Sequence, residues 1–111
     1  MKNSKIYYLY RDAANYKTFN DVVVSESVTL EELSPYFHDH QFFIPSEVGF
    51  DDLQPDTFTC DDHIWHELYE IETTEESPTV DFDSEELVKK FKYLSSLDWN
   101  ETEVFKKKGL L

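Results

Sequence analysis

The 111-residue sequence predicts a single α+β domain, with a small, mainly antiparallel sheet formed within residues 5–72 and a helical C-terminal part over 83–108. Three observations predict it. Runs rich in β-branched and aromatic residues recur at KIYYLYR, FNDVVVS and HIWHELYEI. Thr29 and Asp83 each precede a Glu by three residues, the capping-box spacing, and each is followed by apolar residues at helical intervals. Finally, 40% hydrophobic and 16% aromatic residues are too apolar for a disordered acidic chain, and two glycines leave little room for flexible linkers. No internal repeat or domain boundary interrupts the chain.

Lys5 to Arg11 and Phe19 to Ser25 read as two strands of a hairpin, joined by a polar turn at Asp12 to Asn15. Thr29 with Glu32 opens a short helix over Leu30 to Phe37, in which Leu30, Leu33 and Phe37 form the apolar stripe and Pro35 is placed to kink it or end it early. Gln41 to Ile44 is a brief buried strand, and PSEVGFDDLQPD after it is an irregular connection with one helical turn. His63 to Ile71 is a longer strand. Simple alternation puts Trp65, Tyr69 and Ile71 on one face and Ile64 and Leu68 on the other, and apolar groups on both faces give this strand a central position. Asp83 with Glu86 caps a helix to about Leu97 whose buried stripe is Leu87, Phe91 and Leu94. Asn100 with Glu103 repeats the signal for a last helix ending in Lys106, Lys107, Lys108 and Gly109, acids first and bases last as the helix dipole prefers.

Charge is distributed unevenly along these elements. The formal net charge is -14, and between Thr18 and Val88 there are twenty Asp and Glu and no Lys or Arg. Such a field repels nucleic acid and anionic membrane, and steers basic proteins over roughly 8–10 Å in physiological salt. No apolar stretch has the length of a signal-peptide core or a membrane helix. One cysteine, Cys60, excludes an internal disulfide framework and suits the cytoplasm. With Gly49 and Gly109 the only glycines, no phosphate-binding loop can form, and no cofactor is expected.

Acidic pairs at Asp51-Asp52, Asp61-Asp62, Glu75-Glu76, Asp81-Asp83 and Glu85-Glu86 are interleaved with Phe50, Phe58, Trp65, Tyr69 and Phe82. Glu70 and Glu72, about 6.5–7 Å apart if on a strand, belong to a row of like charge on one face. Asp51, Asp52, Asp56, Asp61, Asp62, Glu70, Glu72, Glu75 and Glu76 are therefore the partner-binding residues, acting through charge-assisted hydrogen bonds to Arg and Lys. The bland alternative is a solvated, solubilising face.

No catalytic or metal-ligating residue is assigned. His38, His40, Cys60, His63 and His66 are ligand types, but His63 and His66 point to opposite faces of a strand, so a site needs a further His from elsewhere. Glu67 lies between Trp65 and Tyr69 and would suit a general acid or base if that face were buried; a β-bulge or a partly open aromatic face explains the same pattern more simply. Surrounding acids raise the Cys60 thiol pKa, opposite to a nucleophile's need.

IYYLYRDAANYKTFNDVVVS, FFIPSEVGFDDLQ and DDHIWHELYEIE together resemble a group of small bacterial proteins without assigned activity, over roughly residues 6 to 72. That resemblance implies a bacterial or phage-borne stand-alone domain. The expected function is a non-enzymatic acidic binding protein, an inhibitor or immunity factor that occupies a basic surface of a nucleic-acid-handling partner. Two alternatives stand beside it: a small metal-dependent or general-acid/base enzyme centred on His63, His66 and Glu67 with His38 or His40, and a subunit of a larger assembly.

Overall fold

In the computed structural model, the described residues are 2–12, 14, 16–39, 41–53 and 65–107, apart from the side chains of residues 100, 101, 105 and 107. Strands β1 (Asn3–Arg11), β2 (Lys17–Val24), β3 (Phe42–Phe43) and β4 (His66–Thr74) form one sheet in the order β2-β1-β4-β3, every pairing antiparallel. The helices are α1 (Leu30–Leu33), α2 (Pro45–Val48), α3 (Ser84–Ser96) and α4 (Glu101–Lys107). This is the α+β class that the sequence predicts.

The hairpin forms where the β-rich runs foretell it. Its turn is closed by Asp12, whose carboxylate accepts from the Tyr16 N–H at 2.9 Å while its own N–H donates to the Tyr16 carbonyl at 3.1 Å. The free edge of β2 is not left open. The Val23 N–H donates to Thr79 Oγ1, the Thr79 N–H returns to the Val23 carbonyl at 2.8 Å, and Ser25 bridges to Asp83, so the polar link before α3 runs along that edge and blunts it against foreign strands.

Both predicted N-caps are present. Thr29 Oγ1 accepts from the Glu32 N–H at 3.2 Å, and the Asp83 carboxylate accepts from the Glu86 N–H at 2.9 Å. The first helix is shorter than expected. It gives way at Ser34 to a 3-10 turn that carries Pro35, and Phe37 is already extended at φ -69°, ψ 146°, because a proline without an N–H cannot continue the α-helical ladder. The last helix follows a 3-10 turn over Asp98–Asn100 in which Asp98 and Trp99 take positive φ of 53° and 60°. That reversal carries Trp99 inward, where it is 1% exposed and donates Nε1–H to the Tyr36 carbonyl at 2.9 Å. Lys108 and Gly109 lie outside the described residues.

Two expectations for the long strand need correction. It spans His66–Thr74 rather than His63 to Ile71, because β1 begins at Asn3 and pairs as far as Asn3 with Thr74; Trp65 precedes the strand, and His63 and Ile64 lie outside the described residues. Its faces also differ from simple alternation. Tyr7 pairs with Glu70 but the next residue, Tyr8, pairs with Leu68, so Tyr69 is an extra residue at a β-bulge. The bulge changes the phase: Ile71, opposite Ile6, joins Leu68 and His66 on the inner face, while Tyr69 stays outside. Its central position is as expected.

One hydrophobic core lies between the sheet's inner face (Ile6, Tyr8, Val22, Val24, Phe43 and Leu68) and Leu33, Leu87, Phe91, Leu94, Trp99 and Val104 from the helical side. Phe43 is its hub, stacked on Phe91 at 5.8 Å and edge-on to Tyr8 at 5.6 Å. The described helices therefore pack on the sheet's buried face, and the opposite face of β2, β1 and β4 carries the exposed side chains of Phe19, Asp21, Tyr69 and Glu70.

Candidate functional site: the outer face of the sheet

Pairing fixes which side chains share that outer face, since directly opposite residues point the same way. Three cross-strand rows result: Val23, Lys5 and Glu72; Asp21, Tyr7 and Glu70; Phe19, Leu9 and Glu67, with Tyr69 of the bulge between the last two on β4. Val23 and Leu9 are buried at 2% and 6%, whereas Phe19 and Tyr69 are 59% and 45% exposed. Tyr69 contacts both other rings, with centroids 6.2 Å from Tyr7 and 6.2 Å edge-on from Phe19. An aromatic strip thus crosses the face with carboxylates around it.

Lys5, Lys2 and Arg11 are paired with carboxylates, whereas Lys17, opposite Arg11 and beyond Phe19 on the same face, has none within 4.0 Å among the described residues. Lys5 Nζ is 2.9 Å from Glu76, Lys2 is 3.7 Å from Glu75, and Arg11 Nε is 3.1 Å from Glu67. Mutual hydrogen bonding raises the Lys5 pKa and lowers that of Glu76. Asp21, Glu70 and Glu72 have no cation within 4.0 Å among the described residues. Glu72 instead accepts a hydrogen bond from the Tyr7 hydroxyl. That bond, with some burial, pushes the Tyr7 phenol up from 10.0 to about 12; burial pushes Tyr8 from 10.0 to about 12, against the opposing effect of the Asn20 amide that donates to it.

A titration follows from these shifts. A folded phenol that keeps its proton beyond the pH at which the unfolded chain loses it adds stability that is complete below about pH 10 and is lost as pH rises toward 12. Absorbance at alkaline pH should show Tyr7 and Tyr8 among the late-ionising tyrosines, and Tyr7→Phe should remove one late phenol. A number of late phenols unchanged between the parent and Tyr7→Phe would contradict the assigned bond.

The sequence-assigned residues separate in space. Glu70 and Glu72 lie on the outer face, with Glu75 and Glu76 at its end; Asp51 and Asp52 belong to the loop after α2, where the Asp51 carbonyl accepts from Tyr8 and Asp52 accepts from the Ser46 N–H. Asp56, Asp61 and Asp62 fall outside the described residues. Phe50 and Phe82 are not surface aromatics: they stack on each other at 6.1 Å in the core, and Gly49, in the left-handed region at φ 90°, brings the loop close over the Phe82 ring. Phe19, Tyr7 and Asp21 were missed. The signal was the hairpin register, which places alternate residues of FNDVVVS beside those of KIYYLYR.

The two described histidines have separate partners. His66 is fully buried, its Nε2 accepting from the Leu53 N–H at 2.9 Å, while His38 stacks flat on Trp65 at 4.0 Å with Nδ1 3.7 Å from Asp98. Among the described residues no three His, Cys, Asp or Glu are grouped to hold a metal ion; His40, Cys60 and His63 lie outside them. Glu67 is only part-buried and is held by Arg11, and the bulge beside it is the simpler of the two explanations its sequence pattern allowed. Among the described residues no helix is long and apolar enough to cross a membrane. In comparisons with known proteins, no family model, curated relative or solved structure matches this chain.

Proposed function

We propose that this chain is a non-enzymatic acidic binding protein that engages a basic surface of another protein in the cytoplasm, as an inhibitor or immunity factor of a nucleic-acid-handling partner does. One observation carries the proposal: Asp21, Glu70 and Glu72 share a sheet face and none of them has a cation within 4.0 Å among the described residues, while Lys5, Lys2 and Arg11 pair with Glu76, Glu75 and Glu67. Carboxylates without an ion-pair partner attract Arg and Lys of another protein and speed encounter, and charge-assisted hydrogen bonds then hold the complex. The rest of the chain adds to the field, since twenty acids and no Lys or Arg lie between Thr18 and Val88.

A pull-down with the tagged chain from bacterial extract tests this. Basic proteins that handle nucleic acid should be captured at about 50 mM salt and released near 500 mM, where the Debye length falls to a few Å. The triple variant Asp21→Asn, Glu70→Gln, Glu72→Gln should retain much less. Capture that is indifferent to salt, or a captured set with no excess of basic surfaces, would overturn the proposal.

A further inference from the structure

We infer that the outer sheet face docks an arginine-bearing, extended segment of a protein partner, with guanidinium planes over Phe19 and Tyr69 and their N–H groups on Asp21, Glu70 and Glu72. The inference rests on the acidic-binding proposal above and assigns it a place and a preferred cation. Two large rings left 59% and 45% exposed, in contact with each other and with Asp21, Glu67 and Glu70 on their face, Lys17 lying only at the far end of β2, match a ligand that is cationic and flat at once. Arginine has both properties. Its guanidinium stacks on aromatic faces, is less strongly hydrated than an ammonium, and presents a fork of donors to a carboxylate, whereas lysine offers a point charge.

Spacing supports an extended occupant. Glu70 and Glu72 are two residues apart on β4, and Asp21, Tyr7 and Glu70 form a row across three strands, so acceptors recur at about 7 Å along the strand and about 10 Å across it. An extended peptide with arginine at alternate positions repeats at the same 7 Å. A second copy of this chain fits poorly: both copies carry a net charge of -14, and the single arginine, Arg11, is engaged by Glu67. The other acidic surface, around Asp81–Glu86, is less suited, because Asp83 caps α3, Glu85 pairs with Lys89 and Phe82 is buried under Lys90.

The test uses the full chain and a short, fluorescently labelled peptide of alternating Arg and Thr, with Lys-Thr and Glu-Thr peptides for comparison, followed by anisotropy at about 50 mM salt. The Arg peptide should bind severalfold more tightly than the Lys peptide, and the Glu peptide not at all. Phe19→Thr and Tyr69→Thr, which keep β-formers at exposed positions, should each weaken binding at least about threefold. Glu70→Gln with Glu72→Gln should weaken it about tenfold, and Glu85→Gln with Glu86→Gln should leave it unchanged. Circular dichroism verifies that every variant is folded. If the outer-face variants bind like the parent while binding stays salt-sensitive, the basic segment sits elsewhere: this inference falls and the acidic-binding proposal stands. Equal affinity for Lys and Arg peptides would overturn the arginine preference, and no binding of either would overturn both proposals.

Discussion

Replacing Trp99 with Ala is expected to lower the stability of the domain by about 3–5 kcal/mol, the range for truncating a large buried aromatic. Trp99 is 1% exposed, sits edge-on to Phe91 at 5.2 Å and to Phe43 at 6.4 Å, and its N–H is satisfied by the Tyr36 carbonyl. Truncation empties the junction between α3, the 3-10 turn after α1 and the sheet, and leaves the carbonyl without its donor. A domain of this size has about 5–15 kcal/mol in total, so the urea midpoint should move far toward zero. Trp99→Phe retains most of the ring and loses mainly the hydrogen bond, for about 1 kcal/mol plus a modest packing term. A midpoint shift below that of Trp99→Phe in the Ala variant would show that the side chain is not buried as described.

His66→Ala should be almost as severe, at about 3 kcal/mol or more. The imidazole is fully enclosed, with ring centroids 5.2 Å from Tyr10 and 6.2 Å from Tyr8, and Nε2 accepts the Leu53 N–H. The variant combines a cavity with an orphaned donor that alone costs about 1–3 kcal/mol. This result also separates a structural histidine from a metal ligand. With His66 acting as a core acceptor, thermal unfolding of the parent is unchanged by a chelator and His66→Ala is destabilised equally with and without added zinc. A parent protein that loses stability on chelation, by the amount His66→Ala loses, would revive the metal-centred alternative.

Local signals in the sequence were informative wherever a side chain acts on its own backbone. Thr29 and Asp83 cap helices in place, and the stripe Leu87, Phe91, Leu94 is buried as its period requires. The hairpin was likewise legible from its two β-rich runs. What alternation could not reveal is the bulge at Tyr69, because an inserted residue changes the phase of a period-two pattern without changing its composition. That single residue decides that Ile71 is inside and that Tyr69 joins Phe19 outside. The acidic row at Glu70 and Glu72 was legible from spacing alone; its neighbour Asp21 was not, since it arrives from another strand through register.

Phe50 and Phe82 teach a related point. Aromatics interleaved with acids along a sequence suggest a mixed surface, yet both rings stack in the core. The exposed aromatic strip is built from residues distant in sequence, Tyr7, Phe19 and Tyr69, and only the folded sheet brings them together.

The central claim is that the outer face of β2, β1 and β4 is the working surface. Backbone amide chemical-shift mapping of the full chain, titrated with the Arg-Thr peptide at low salt, tests it most directly. Shifts should concentrate at Phe19 to Asp21, Lys5 to Leu9 and Glu67 to Glu72, and should fade together as salt is raised. Shifts centred instead on the Asp51-Asp52 loop or on α3, with those three strand segments unmoved, would contradict it.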